Sequence, residues 1–242
     1  KNNMKITAGL MHFKKLNEQI RESEDTDITI EQCMGQRYIA SGLSGKNIWI
    51  DGIPGNALGA YFADGTIRTS GNAQEATGDT MNGGTIIING SCGDGTGYGM
   101  RGGSIFVRDN VGYRAGIHMK AYREKKPLLV IGGKAGSFLG EYQAGGLIIV
   151  LNLKAEEPIV GNFCATGMHG GKIVLRCAQP PASISEKVDV RKANQMDLDE
   201  ISEPVNLFCS YFGYDLNKVM EHPFYVLEAD TKNPYRQLYT HN

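Results

Sequence analysis

The feature that most constrains this chain is a repeat of about 19 residues running through its middle. Seven short apolar segments carry it: GKNIWI, DGTIRTS, GGTIIIN, GGSIFVR, PLLVIGG, GGLIIVL and GGKIVLR. With Ile48, Ile67, Ile86, Ile105, Leu129, Ile148 and Ile173 as reference positions, the spacings are 19, 19, 19, 24, 19 and 25. Three more columns keep step. One, five residues earlier, reads Leu43, Phe62, Met81, Met100, Met119, Gln143 and Met168. Another, three residues before that, reads Ala40, Gly59, Gly78, Gly97, Gly116, Gly140 and Ala165. The last follows each strand: Gly52, Gly71, Gly90, Asp109, Gly133, Asn152 and Cys177.

A unit this short, with a strand of three or four residues, cannot bury its own apolar face, so the units must stack. Parallel strands repeat every ~4.8 Å, which makes seven coils a column of roughly 30 Å. Stacking sets like on like and explains why each column keeps its chemistry. The pattern predicts an all-β fold, a single-stranded parallel β-helix of about seven coils with short helical caps at both ends. A left-handed helix of six-residue repeats is excluded, because no period of six is present. The Gly/Asp/Asn column after each strand is expected to form corners at positive φ, which those residues tolerate best.

The longer spacings mark insertions, around Ala121–Lys126 (AYREKK) and Leu153–Pro158 (LKAEEP). Both are charged and should bulge from the column. Three segments follow: an N-terminal cap over 1–32, the β-helix over 33–177, and a linker with a helical extension over 178–242. Phe13, Leu16 and Ile20 at helical spacing predict a helix over Leu10–Glu22. A second helix is expected from Asp197 to Gly213, a third from Asp215, and a terminal strand over Phe224–Leu227.

Composition narrows the function. The net charge of −1 removes the electrostatic footprint of a nucleic-acid binder. Apolar runs stop at about seven residues, too few to cross a membrane. Cys33, Cys92, Cys164, Cys177 and Cys209 are odd in number and widely spaced. They read as core fillers in a reducing compartment, and with no leader-like start they point to the cytoplasm. No C-x-x-C supplies a zinc or iron–sulfur site.

The candidate chemistry is sparse. Gly97, Gly99 and Gly102 spell G-x-G-x-x-G, but a strand follows where a dinucleotide site needs a helix. His118 and His169 lie near Glu141 and Lys120 in neighbouring coils, yet occupy different columns. Asp79 and Glu141 share a column with two coils, carrying Tyr98 and Ile117, between them, the arrangement a carbohydrate-active β-helix would use, although no leader accompanies it. The methionine column reads as packing.

GQRYIASGL (Gly35–Leu43), IPGNALGA (Ile53–Ala60), SGNAQEATGDTMNGG (Ser70–Gly84), GYGMRGG (Gly97–Gly103), VGYRAGIHMK (Val111–Lys120), GEYQAGG (Gly140–Gly146) and GMHGG (Gly167–Gly171) together resemble the GXGXG domain. This is the right-handed parallel β-helix at the C-terminus of the glutamate synthase large subunit, and it is similar also to one of the subunits of formylmethanofuran dehydrogenase. The resemblance covers about residues 33–177, and the flanks resemble the archaeal-type arrangement in which the domain is a separate polypeptide. It implies no catalytic residue, cofactor or metal in this chain, and a structural role in making glutamate from glutamine and 2-oxoglutarate. FMN and iron–sulfur would reside in an FMN-binding synthase partner, beside a glutamine amidotransferase partner. The expected interface residues are Arg37, Tyr38, Tyr113, Arg114, His118, Lys120, Glu141 and His169. Gln143, where the family often has Met, and Asp109, where Gly is usual, depart from the pattern. A scaffold in a formylmethanofuran dehydrogenase-like complex and a stand-alone carbohydrate-active β-helix are the alternatives.

Overall fold

A computed structural model describes residues 3–230, so Lys1, Asn2 and the last twelve positions of the expected terminal segments lie outside the described residues. Each repeat lays one strand beside the next. The strands are β1 (Asn3–Thr7), β2 (Asp27–Met34), β3 (Lys46–Ile53), β4 (Gly65–Thr69), β5 (Thr85–Ile88), β6 (Ser104–Val107), β7 (Leu128–Ile131), β8 (Ala144–Val150), β9 (Gly170–Arg176), β10 (Val188–Lys192) and β11 (Phe224–Ala229). They form one sheet in the order β1 to β9, then β11 and β10. Every pairing from β1 to β9 is parallel, and β11 and β10 add antiparallel. The reference column pairs residue on residue through Ile48, Ile67, Ile86, Ile105, Leu129, Ile148 and Ile173.

Two strands precede the first repeat visible in the sequence. Ile28 pairs with Ile48 at a spacing of 20, and β1 and β2 are separated by helix α1 (Phe13–Glu22), which hides them from a search at 19. Leu16 and Ile20 of α1 are fully buried against the first strands.

The inward column is apolar throughout, and Phe62, Met81, Met100 and Met119 lie fully buried beside it. The outward column runs Lys5, Thr29, Trp49, Arg68, Ile87, Phe106, Val130, Ile149 and Val174. Its change from polar to apolar at Ile87 places helix α2 (Gln195–Phe212). Ile201, Val205 and Phe208 of α2 pack with Ile87, Phe106, Val130, Ile149 and Val174 in a second core. Eighteen residues reach about 27 Å, which matches the roughly 24 Å from β9 to β4. Lys172 on β9 pairs with Glu200 at 2.8 Å near one end, and Arg68 on β4 donates to the Tyr211 carbonyl at 2.8 Å near the other.

This corrects the expected C-terminal cap: α2 lies on the flank of the sheet, and the end of the column is continued by β11. The helix also starts before Asp197. Asn194 is the N-cap, and Asp197 closes the capping box from the third position, so the acidic residue marks the first turn rather than the start. Gly213 ends the helix at φ 77, and Asp215 caps the short α3 (Leu216–Met220), both as expected. Among the described residues no helix is long and apolar enough to cross a membrane.

The expected positive-φ corners lie elsewhere. Only Gly52 and Asn152 of the post-strand column have positive φ. Gly90 and Gly133 have ordinary φ, and what excludes a side chain there is a neighbour: a Cβ would lie 2.3 Å from Asn72 Oδ1 and 2.1 Å from Asn110 Oδ1. Those oxygens accept from the Ser91 and Lys134 amides of the next unit at 2.8 Å, so a ladder of side-chain caps occupies the space.

Candidate partner interface

Positive φ belongs to the Ala40–Ala165 column and to the positions two residues either side of it. All seven units repeat the pattern, from Tyr38, Ala40 and Gly42 to Phe163, Ala165 and Gly167. Hydrogen bonding gives the reason. Gly59 donates back to Ile39 at 2.8 Å, while Ala57 and Tyr61 donate forward to Glu75 and Asp79 at 2.9 and 2.8 Å. The amide between them turns inward on its own unit, Ala60 to Ala57 at 3.2 Å. Amides that must point alternately backward and forward require φ of alternating sign, and every second residue falls in the left-handed region. The unit Gly95, Gly97, Gly99 meets this demand with glycine alone, which is how the literal G-x-G-x-G arises.

Elsewhere the flanking positions carry large side chains. Arg114, Phe138 and Phe163 form one ridge: the guanidinium lies 4.8 Å from the Phe138 centroid, and the two phenyl rings stack at 5.1 Å. His118 and Tyr142 form another, stacked at 5.2 Å, with Tyr98 edge-on to His118 at 5.9 Å. Tyr142, Phe163 and Tyr98 are exposed. A left-handed non-glycine residue costs about 1–2 kcal/mol; Arg114, His118, Tyr142 and Phe163 take that backbone while exposed, and Phe138 while half-buried.

The eight residues expected at the interface divide into two groups. Arg37 and Tyr38 sit at the N-terminal end with Phe13 of α1; the Arg37 guanidinium lies 4.6 Å from the Phe13 centroid. They are four units from Arg114, about 19 Å along the column. Arg114, His118 and Glu141 come together, with the His118 amide donating to the Glu141 carbonyl at 3.0 Å. Tyr113 is exposed beside them, its amide capped by Asp94 Oδ1 at 2.7 Å. Lys120 and His169 share a different column, separated by Ala144. His169 Nδ1 lies 3.1 Å from the Gly167 carbonyl. Phe138, Tyr142 and Phe163 belong to the same surface and escaped the sequence reading; their signal is their offset of two from the glycine column.

Among the described residues no three His, Cys, Asp or Glu side chains gather as a metal cluster. Asp79 accepts from Thr80 Oγ1 at 2.9 Å. Burial pushes the Cys92 and Cys164 thiols up to about 12, far from a nucleophile's range. Gln143 is fully buried in the methionine column, donating to the Gly145, Gly146 and Lys172 carbonyls at 3.2 Å.

The repeating units therefore define a repeat-built protein with one large, mostly parallel sheet. The sequence matches the GXGXG motif family over residues 14–228, and the chain belongs to that family. It is also 46% identical over 249 residues to a protein of Methanocaldococcus jannaschii named as the uncharacterized protein MJ1350, covering 97% of this chain and 95% of that one.

Proposed function

We propose that this chain is a non-catalytic structural subunit of a glutamate synthase-type complex, wound as a right-handed parallel β-helix. The winding is supported by three ladders that repeat once per unit. They are the strands, the Cys92–Val111–Ala135–Val160 bridges and the amide bonds of the glycine column. Handedness and the glutamate synthase assignment rest on the family resemblance. FMN and iron–sulfur belong to an FMN-binding synthase partner and glutamine hydrolysis to an amidotransferase partner, in a cytoplasmic assembly.

The observation that carries the reading is the set of large side chains at left-handed positions. Arg114, Phe138 and Phe163 occupy a column in which Gly95 shows that glycine also fits. Strain kept at exposed arginine and aromatic positions fits an interface that buries them on assembly. The test is Phe163→Gly. The isolated chain should change little in stability, because about 1–2 kcal/mol of relieved strain is offset by the lost stack on Phe138 and by the freedom glycine adds to the unfolded chain, while association weakens roughly tenfold or more. Purification of the tagged chain with its partners, read by mass spectrometry and visible spectrum, should yield a flavin and iron–sulfur chain. Partners carrying molybdenum or tungsten would move the chain to the formylmethanofuran dehydrogenase type, and a colourless lone polypeptide would refute the subunit reading.

A further inference from the structure

The insertion after Lys120 folds as a tight reversal. Tyr122 and Lys125 exchange both backbone hydrogen bonds at 3.0 Å, and Arg123 takes the turn at φ 56 with its guanidinium 5.1 Å from the Tyr122 centroid. The reversal lies back over the preceding units. Lys125 Nζ donates to the Asn82 carbonyl at 3.3 Å, and its stem passes 3.2 Å from where a Cβ on Gly102 would stand. This sets it beside Arg101 and Lys120, which are neighbours along the column, their amides donating to the Met81 and Met100 carbonyls.

Arg101, Lys120, Arg123, Lys125 and Lys126 are all exposed on this face, with Glu124 the one acid of the reversal. Lys5, Arg108, Lys134, Lys172 and Arg191, which lie on other parts of the surface, each meet a carboxylate within 4 Å, whereas Lys14, Lys15 and Lys218 stand without one among the described residues. None of the five on this face has such a pair among the described residues. A fold that gathers five like charges around a single acid, with none of them paired within 4 Å, leaves most of the attraction to be satisfied from outside.

We infer that this face docks a carboxylate-rich surface of a different protein chain, an inference that rests on the subunit reading above. An extended polyanion fits less well. The chain as a whole carries −1, so the surface beyond this patch is net acidic. At a screening length of about 8 Å, a duplex or vesicle running past the patch meets repulsion where a local cluster of carboxylates does not. Tyr122 beside exposed arginine also matches the residues enriched in protein–protein contacts.

The test treats the complex purified on the tagged full-length chain with a carbodiimide, which joins amines to carboxylates without a spacer, and maps the linked peptides. Links from Lys120, Lys125 or Lys126 to Asp or Glu of a second, different chain are expected. The triple variant Arg123→Glu, Lys125→Glu, Lys126→Glu, with its circular dichroism unchanged, should associate with the released partner roughly tenfold more slowly at low salt. The difference should shrink at about 0.5 M salt. An intact complex linked only elsewhere, or a triple variant that associates at the original rate, overturns the inference and leaves the subunit reading standing. A chain that purifies alone overturns both. Binding of a duplex oligonucleotide or of phosphatidylglycerol vesicles that the triple variant loses overturns it by assigning the face to another class of ligand.

Discussion

Gly78→Ala tests whether the alternating backbone and the stacked isoleucines exclude a side chain together. Gly78 has φ +69, where an L side chain costs about 1–2 kcal/mol. A Cβ there would stand 2.4 Å from Ile105 Cδ1 of the following unit and 3.4 Å from its Cγ1. Relieving such overpacking in a fully buried position costs about 1–3 kcal/mol. Alanine also restricts the unfolded chain and returns about 0.4–1 kcal/mol. The net expectation is a loss of about 1–5 kcal/mol. Because Ile105 Cδ1 is the atom in the way, Ile105→Val should rescue. Alone it costs about 0.5–1.5 kcal/mol; in the Gly78→Ala background it should cost nothing or stabilise, a coupling of about 1 kcal/mol or more.

The assay is urea denaturation followed by far-ultraviolet circular dichroism and by emission of Trp49, the single tryptophan, on β3. Ala40 and Ala165 show that the column takes a Cβ at φ 64 and 62 in its first and last units, so the loss at Gly78 turns on Ile105 rather than on φ alone. A Gly78→Ala loss below about 0.5 kcal/mol, or strict additivity with Ile105→Val, would refute the packing argument.

Two further outcomes follow from the docking of α2. Hydrogen bonds from Arg191 hold the Asp197 carboxyl down at about 2, against an ordinary 3.8, with the Asn194 amide and Lys172 adding to the effect. A lowered carboxyl contributes stability that is complete above about pH 4 and lost as pH falls towards 2, about 2 kcal/mol in all; a titration of unfolding free energy should show that acid limb, and Asp197→Asn should flatten it. Phe208 is fully buried, and its ring fills the space a Cβ on Gly132 would take, 2.4 Å from Cζ. Phe208→Ala should cost about 3–5 kcal/mol, with limited proteolysis cutting first within α2 while β3 to β9 stay protected.

Much of the sheet is legible in the sequence because stacking forces each column to repeat its chemistry at a fixed interval. The placement of α2 is also written there: NIWI and TIRT alternate, whereas TIII, SIFV, LLVI, LIIV and KIVL are apolar on both faces, as strands covered on both sides must be. β1 and β2 are hidden because a helix interrupts their spacing. β10 is hidden and the pairing of β11 is not legible, because an antiparallel return keeps no interval with the repeat; the composition of Phe224–Leu227 nevertheless marks β11 as a strand.

The glycine columns are harder, because glycine satisfies two different demands and the sequence does not say which. At Gly90 and Gly133 it makes room for an asparagine oxygen of the preceding unit; at Gly59, Gly78 and Gly116 it supplies the left-handed backbone. What separates the two is the substitutes each column accepts. The post-strand column admits Asp109 and Cys177, residues that fit an ordinary backbone. The motif column admits only alanine. Its flanks admit Arg114, His118, Phe138, Tyr142 and Phe163, all at positive φ. Comparing units within one chain thus marks the positions where backbone preference and residue identity conflict most.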